Sequence, residues 1–292
     1  MTERSPLTPA QLRWGVEQWV AFLKDKVIPV MPWTRAVVEE VARNTDTEVS
    51  PRELVGIVFG DPFLALKLLR AAEDRRTRRL GRETTTPLAS LLHAGFDNMA
   101  SIVRSGEMTD IGNQGLVNCQ HRAIIASSIA RNWASMRVDI SPEEVAMATL
   151  LAECGELLLW HFAPELPQRA LDELSSGRAM RTVEAQQQAC GFSFKTLTLT
   201  LVEAWQLPHL IMLLIRGSDS LRANLARLAV DTARHIGTDP ENPSIPADIV
   251  AVSELLPGVS PRRLLTALPI AEDFKAYVLE QVGGQESRKE LS

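Results

Sequence analysis

Aromatic residues, cysteines and long apolar runs are all scarce in this sequence of 292 residues. Aromatic side chains make up 5% of it, with one tyrosine, so the core has to be built mainly from leucine, valine, alanine and isoleucine. The cysteines are odd in number and far apart, so neither a disulfide framework nor a zinc knuckle is implied, and reduced thiols are expected. They are Cys119, Cys154 and Cys190.

Long apolar runs and a strong charge imbalance are missing as well. The longest apolar run, residues 207–215, is far shorter than the roughly 20 residues that a transmembrane helix needs. The N-terminal residues lack the apolar stretch of a secretory signal. The net charge of −5 argues against binding to nucleic acid or anionic lipid through overall charge. We therefore expect a soluble cytoplasmic protein that interacts with neither membranes nor nucleic acid.

Common nucleotide-binding and hydrolase motifs are also absent. The sequence contains neither a G-x-x-x-x-G-K-[ST] phosphate loop nor a G-x-G-x-x-G turn, and it has no H-E-x-x-H zinc motif or G-x-S-x-G nucleophile elbow. Nothing in the sequence places an activating base near Cys154 or a partner residue near Glu153. No catalytic residue and no cofactor are therefore predicted.

What the sequence does contain is a recurring helix start. Three segments combine an N-cap hydroxyl, a proline at the first helical position and Gln or Glu at the third, and they begin at Thr8, Ser50 and Ser141. Weaker versions of the pattern begin at Asp61, Thr86 and Ser260. Because apolar residues follow the main starts at helical spacing, we predict an all-α fold, a multi-helix bundle with an N-terminal helix over residues 8–23.

Three segments qualify this prediction. Residues 194–201 alternate apolar and polar side chains, which is typical of a strand, but they also fit one helical face and have no partner strand, so we predict a helix. Residues 237–244 are rich in Gly, Pro, Asp and Asn and predict a loop. The polar residues 283–290 predict a frayed tail.

Residues 150–159, Leu-Leu-Ala-Glu-Cys-Gly-Glu-Leu-Leu-Leu, resemble the metal-binding motif of HD-type phosphohydrolases with its key residues replaced. Ala152 and Glu153 stand where those enzymes have His and Asp. Because alanine has no lone pair to offer a metal ion, the segment suggests an enzyme scaffold that has lost its chemistry.

Further motifs in the same order make the chain similar to the HDOD family, helical relatives of HD phosphohydrolases in bacterial signalling proteins. The similarity covers residues 26–220, preceded by the N-terminal helix in residues 1–25 and followed by a helical C-terminal extension in residues 221–292. The motifs that carry it are Ile28-Pro29-Val30-Met31-Pro32, the D-P-x-L-x-x-x-L-L-R helix at 61–70, Gly95-Phe96, His121 at a helix start, Glu184, Gly191 and Trp205-Gln206-Leu207-Pro208.

The resemblance also implies which residues occupy the former metal-ligand positions of an HD site. These vestigial positions are His121, Ala152, Glu153, Phe194, Ser218 and Asp219. A catalytic metal site needs several imidazoles and a carboxylate around an open position for water, and His121 is the one imidazole in this set. The set therefore predicts that no metal is bound.

The preferred functional hypothesis is a non-catalytic signal-transduction module that acts through protein–protein interaction, as HDOD members are thought to act. Its partners would be signalling proteins of unknown identity, and a homodimer is also considered. Two alternatives stay open. One is a divergent metal-dependent phosphohydrolase that acts on a nucleotide or cyclic dinucleotide, with ligands such as His121, Glu153 and Asp219. The other is a regulator that binds a small ligand in the vacated cavity.

A cluster of arginines in residues 70–82 is a second candidate site. Guanidinium groups favour planar, bidentate contacts with phosphate or carboxylate, so the cluster could bind an anion or an acidic partner. A solvated helix end, where arginines interact with the C-terminal dipole, is the more common explanation. The residues are Arg70, Arg75, Arg76, Arg78, Arg79 and Arg82.

Overall fold

The computed structural model describes residues 6–43, 50–79, 83–217 and 220–289 of the chain. Within these ranges it forms α-helices, one 3₁₀ turn and a single isolated β-bridge between Val30 and Met108. The all-α fold predicted from the helix starts is therefore confirmed.

The described residues form seventeen α-helices. The first nine are α1 (Val16–Leu23), α2 (Pro32–Arg43), α3 (Pro51–Phe59), α4 (Pro62–Arg79), α5 (Pro87–Ala94), α6 (Phe96–Ser105), α7 (Gln114–Ala134), α8 (Pro142–Leu151) and α9 (Cys154–Phe162). The remaining eight are α10 (Glu165–Ser175), α11 (Thr182–Cys190), α12 (Phe194–Ala204), α13 (His209–Arg216), α14 (Leu221–Thr238), α15 (Ile245–Leu255), α16 (Pro261–Leu265) and α17 (Glu272–Lys289).

The N-terminal segment is not the single helix predicted over residues 8–23. Thr8 and Gln11 do form the reciprocal bonds of a capping box, Thr8 N to Gln11 Oε1 at 2.9 Å and Gln11 N to Thr8 Oγ1 at 3.2 Å. They start only a 3₁₀ turn, Gln11–Arg13, because the backbone is extended at Trp14 and Gly15. Helix α1 begins after Gly15, and its buried face packs against α12.

The other predicted helix starts have mixed outcomes. Ser50 caps α3 as predicted, since Ser50 Oγ accepts from Glu53 N at 3.3 Å and Ser50 N donates to Glu53 Oε2 at 2.8 Å. Helix α8 also begins where predicted, but the Ser141 side chain makes no capping bond. Glu144 instead accepts from Thr85 Oγ1 at 2.9 Å and pairs with Arg222 at 3.4 Å. Tertiary partners have therefore displaced the local capping bonds at this position.

The three segments that qualified the all-α prediction have different outcomes. Residues 194–201 lie in helix α12, as predicted, and Ser193 caps it by accepting from Thr196 N at 3.1 Å. The loop predicted at 237–244 is confirmed for residues 239–244, which join α14 to α15, whereas Gly237 and Thr238 still belong to α14. The prediction of a frayed tail is wrong for residues 283–289, because α17 continues to Lys289.

Two clusters of buried apolar residues make up the core. The first is built mainly from α1 to α6, the first half of α7 and α8 to α13, and the second mainly from the rest of α7 with α14 to α17, together with Val145 of α8. Helix α7 therefore belongs to both, with Leu116 in the first cluster and Trp133 in the second. Trp133 Nε1 donates to Leu264 O at 3.1 Å, which ties α7 to the C-terminal helices.

One described segment, Pro142–Phe162, is apolar and long enough to cross a bilayer by length and composition. It consists of α8 and α9, and 83% of its most apolar window is buried inside the fold. This is the environment of a core helix, so the segment gives only weak evidence for a membrane span.

Candidate functional site

The candidate site is centred on Glu153, at the turn between α8 and α9. This residue occupies the aspartate position of the altered motif, and its side chain is 3% exposed. Two guanidiniums hold its carboxylate. Arg122 of α7 donates from Nε to Glu153 Oε2 at 2.7 Å, and Arg234 of α14 donates from Nε to Oε1 at 2.7 Å.

A second carboxylate completes the group. Arg122 Nη2 donates to Glu156 Oε1 at 2.9 Å, and the same oxygen accepts from Trp160 Nε1 at 3.3 Å. The four charged residues Arg122, Glu153, Glu156 and Arg234 are named the Glu153 cluster below. It joins α7, α9 and α14, at the place where the two cores meet.

Charge pairing sets the ionisation of the Glu153 cluster. Burial by itself would raise the pKa of Glu153, but Arg122 and Arg234 together outweigh burial and hold that pKa below its ordinary value. Burial lowers the pKa of each guanidinium, yet the two carboxylates overcome this and raise the pKa of both Arg122 and Arg234. Arg122, Glu153 and Arg234 are therefore charged around neutral pH.

The donor set at this place fits a guanidinium better than a metal ion. Cys119, Glu153 and Glu156 offer ligand atoms that lie within 4.8 Å of one another. Arg122 contacts all three, since Nη2 also lies 3.4 Å from Cys119 Sγ. Burial and the nearby Glu156 raise the pKa of Cys119 well above its ordinary value, so the thiol stays protonated, whereas metals bind thiolate. The space among the three donors holds an internal cation.

The structure brings together only some of the vestigial positions named from the resemblance. Ala152, Glu153 and Phe194 line one hollow beside the Glu153 cluster. His121, by contrast, is exposed on α7, and the adjacent Arg122 is the residue that reaches Glu153. Ser218 and Asp219 lie outside the described residues.

Sequence reasoning missed Arg122, Glu156 and Arg234. A signal for Arg122 was present, because it lies three residues after Cys119 and four before Ala126 and so shares a helical face with buried positions. Arg234 has no comparable local signal, since it lies 81 residues from Glu153 and reaches it only through the packing of α14.

Gly155 fixes how closely the motif packs against α12. Its N–H donates to Thr198 Oγ1 at 3.0 Å, and a Cβ added here would lie 2.8 to 3.0 Å from Thr198 Oγ1, Thr198 N and Phe194 O. Two of these three atoms belong to the backbone, so they cannot easily move away. Gly155 of the altered motif therefore allows α9 to pack closely against α12. Only glycine fits here, because any Cβ would be too close to the backbone of α12.

A second hollow lies on the other side of the cluster and is named the α10–α11 hollow. Its volume is about 260 Å³. The Glu153 cluster forms one wall through Arg122, Glu156 and Arg234. The remaining walls come mainly from α10, α11 and α7. Their lining residues include Leu171, Leu174, Thr182, Gln186 and Asn118.

The arginine cluster at 70–82 is described only at its start. The Arg70 guanidinium lies 4.7 Å from the ring centre of Trp205 and donates to Lys24 O at 3.4 Å, so this arginine has partners within the fold. The side chains of Arg75, Arg76, Arg78 and Arg79, and all of Arg82, lie outside what the structure describes.

Fold and site together define a class: an all-α domain related to HD phosphohydrolases, with an altered motif at its α8–α9 turn. The family model of the HDOD domain matches residues 28–220, about two thirds of the chain. The chain therefore belongs to the HDOD family. The resemblance read from the sequence motifs is confirmed.

Solved structures of similar fold agree. A virulence factor from Campylobacter jejuni subsp. jejuni superposes with a TM-score of 0.70 at 17% identity, over 91% of this chain and 100% of that chain. The MmoQ response regulator from Methylococcus capsulatus str. Bath gives a TM-score of 0.61 at 16% identity, over 88% and 99% of the two chains. At these identities the likeness shows the fold alone. No curated protein matches the chain in sequence.

Proposed function

We propose that this protein is a non-catalytic HDOD module that regulates signalling through protein–protein interaction. The observation that carries the proposal is the position of Arg122. Its guanidinium contacts Cys119, Glu153 and Glu156, the three groups that could otherwise converge on a metal ion.

The chemistry of phosphohydrolysis supports this reading. An HD-type reaction needs a metal ion with an open position, where a bound water is activated as the nucleophile. A metal among these donors would meet the positive charge of Arg122 less than 3 Å from both carboxylates. To bind a metal, the site would have to displace the Arg122 guanidinium from both carboxylates. The guanidinium would then be buried without its partners, which is strongly unfavourable.

Exposed apolar side chains support an interaction role. Leu171, Met180 and Val183 lie on the α10–α11 hairpin or its connection, with exposed fractions of 47%, 86% and 57%. Apolar groups in water favour burial against another surface. The partner would be a second signalling protein of the cytoplasm or another copy of this chain, forming a homodimer.

Metal content and turnover test the non-catalytic claim. The chelator-treated protein is incubated with manganese, iron, zinc or nickel, then assayed for bound metal and for hydrolysis of nucleotides and a cyclic dinucleotide. We expect no stoichiometric metal and no turnover above a no-protein control. Stoichiometric metal together with turnover that is lost in Glu153→Gln would overturn the proposal and establish the divergent phosphohydrolase instead.

Sedimentation of the full chain over a range of concentrations tests the homodimer. If the hairpin surface pairs two copies, Met180→Glu weakens the dimer and the matched change Val138→Glu, at another exposed apolar residue between α7 and α8, does not. A chain that stays monomeric at every concentration removes the second copy as a partner.

A further inference from the structure

The α10–α11 hollow has the dimensions and lining of a small-molecule site. Pockets for small ligands usually enclose about 300–1,000 Å³ and combine apolar walls with a few convergent polar groups. The hollow encloses about 260 Å³, close to the lower end of this range. Apolar lining comes from α9 and α10 and from the start of α12, through Trp160, Pro167, Ala170, Leu171, Leu174 and Phe194.

Hydrogen-bond donors are available on its polar wall. Arg122 uses Nε and Nη2 within the Glu153 cluster and keeps Nη1. Arg234 binds Glu153 through Nε, has Nη1 3.8 Å from Asp231 Oδ1 and keeps Nη2. Gln186 is 4% exposed and accepts from Phe194 N through Oε1 at 2.9 Å. Among the described residues none accepts a hydrogen bond from its amide nitrogen, so that group is also available at the wall.

The charge balance favours an anion. This hollow and the neighbouring one lined by Ala152 and Phe194 share Glu156, Phe194 and Arg234. The α10–α11 hollow itself is lined by two cationic side chains, Arg122 and Arg234, against one acidic side chain, Glu156. The region therefore carries one excess positive charge in a protein whose net charge is −5.

We propose that the α10–α11 hollow binds a small organic anion, in which a carboxylate or phosphate group pairs with Arg122 and Arg234 while an apolar or aromatic body packs between Trp160 and α10. The two guanidiniums present fixed, planar donors, which suit the bidentate geometry of such groups. The half-buried setting strengthens each of these bonds relative to water.

This inference rests on the proposed function, because the ligand is bound and not hydrolysed. It also gives that function an input. The anion would contact Arg234, the residue that ties α14 to Glu153, so binding and the docking of α14 would involve the same side chain.

Two aromatic probes test the site: benzoate for a carboxylate and phenyl phosphate for a phosphate. Binding to the full chain is followed by nuclear magnetic resonance, through saturation transfer to the probe and through the indole N–H signal of Trp160, assigned with Trp160→Phe. Benzyl alcohol provides the uncharged control. Acetate and inorganic phosphate show whether the anionic group binds without its aromatic body.

Thr182→Trp provides the blocking variant, because Thr182 is exposed, lines the hollow and can carry a larger side chain into it. Val138→Trp is the matched control, since this residue between α7 and α8 is exposed and does not line the hollow. Asn118→Trp, from the opposite wall, is a second blocking variant in case the first fails to fold.

We expect saturable binding of benzoate or phenyl phosphate to the natural chain and to Val138→Trp, weakened roughly ten-fold or more in the blocking variants. The probe that binds more tightly identifies the anionic group. Absence of saturable binding at millimolar concentrations, equal binding of benzyl alcohol, or unchanged binding in both blocking variants would overturn the inference. Metal content and turnover are measured on the same preparation, so a failed ligand site is distinguished from a failed non-catalytic assignment.

Discussion

Two buried carboxylates, Asp61 and Glu153, are held by different kinds of hydrogen-bond donor. Asp61, at the start of α4, is 0% exposed and accepts four hydrogen bonds from uncharged groups. The donors are Met31 N, Thr34 Oγ1, Phe63 N and Leu64 N, at 2.9, 2.7, 2.9 and 3.1 Å. Glu153 is held by two guanidiniums instead.

The difference shows in the direction of each pKa. Burial raises the pKa of Asp61 above its ordinary value despite the four hydrogen bonds that oppose it. The pKa of Glu153 moves below its ordinary value, because full positive charges outweigh the same burial. Uncharged donors orient a buried carboxylate, whereas guanidiniums keep it ionised. Both arrangements use a partner from another helix, Thr34 of α2 for Asp61 and Arg122 of α7 and Arg234 of α14 for Glu153, and they differ in the charge of that partner.

The largest effect should come from removing a charge at the Glu153 cluster. Arg122→Met leaves two buried carboxylates with Arg234 as their main counter-charge, so we expect the free energy of unfolding to fall by about 3–5 kcal/mol. Urea denaturation followed by circular dichroism measures it. Arg137→Met, the same change in an exposed pair with Asp139, is the control and should have little effect. Equal losses in the two variants would contradict the special role of the cluster.

Packing around the cluster is the next contribution. Gly155→Ala places a methyl group against the backbone of α12, and we expect a loss of about 3 kcal/mol in the free energy of unfolding, the upper part of the usual range for overpacking. Gly56→Ala in α3 is the matched control, because nothing lies within 4 Å of an added Cβ there. That variant should be neutral or slightly stabilised. Similar denaturation midpoints for the two would refute the close approach of α9 and α12.

A smaller loss is expected where uncharged donors hold the carboxylate. Asp61→Asn keeps the shape and one acceptor oxygen but replaces the other with an amide that cannot accept from Met31 N. We expect the free energy of unfolding to fall by about 2 kcal/mol, the usual consequence of an unsatisfied buried group. Chemical denaturation beside Arg122→Met gives the comparison. A larger loss in Asp61→Asn would reverse the ranking of the two sites.

The smallest and most specific effect is on how the free energy of unfolding depends on pH. Because the folded-state pKa of Glu153 lies below its ordinary value of 4.5, its stabilisation is present above pH 4.5 and is lost as pH falls through the folded-state pKa. The pKa of Asp61 is raised from 3.8, so its contribution has the opposite sign, and stability is lost as pH rises from 3.8 through the folded-state pKa.

Measuring the free energy of unfolding at a series of acidic pH values distinguishes the contribution of Glu153 from that of Asp61. Glu153→Gln should remove a slope in which stability increases with pH, and Asp61→Asn should remove a slope in which stability decreases with pH. Each variant is compared with the natural chain at the same pH values. If both variants change the slope in the same direction, the contrast between the two carboxylates is wrong.

The sequence predicted features whose causes lie within a few residues. Ser50 and Glu53 form their capping box as predicted, because both partners belong to one helical turn. Where a distant residue competes, the local pattern misleads, as at Ser141, where Glu144 turns to Thr85 and Arg222. The N-terminal helix failed for a related reason, because the backbone breaks at Gly15 despite a correct capping box.

The candidate site shows the same limit. The altered motif points to Glu153, whose place at the α8–α9 turn follows from neighbouring residues. Its partners could not be read from the motif, since Arg122 lies 31 residues away and Arg234 lies 81 residues away, and only helix packing brings them together. His121 was named in place of Arg122 because the resemblance specifies an imidazole, whereas the helix turns the following residue inward.

The bond between Arg234 and Glu153 has a consequence for where this domain can be divided. The matched family region ends at residue 220, yet Arg234 lies beyond it in α14 and neutralises a carboxylate inside it. A fragment ending at residue 220 would lose that counter-charge and uncover Ile129 and Trp133 of α7. We therefore expect the smallest autonomously folding unit to be longer than the family region, so that a gene fusion moving this module into another protein would have to carry α14 with it.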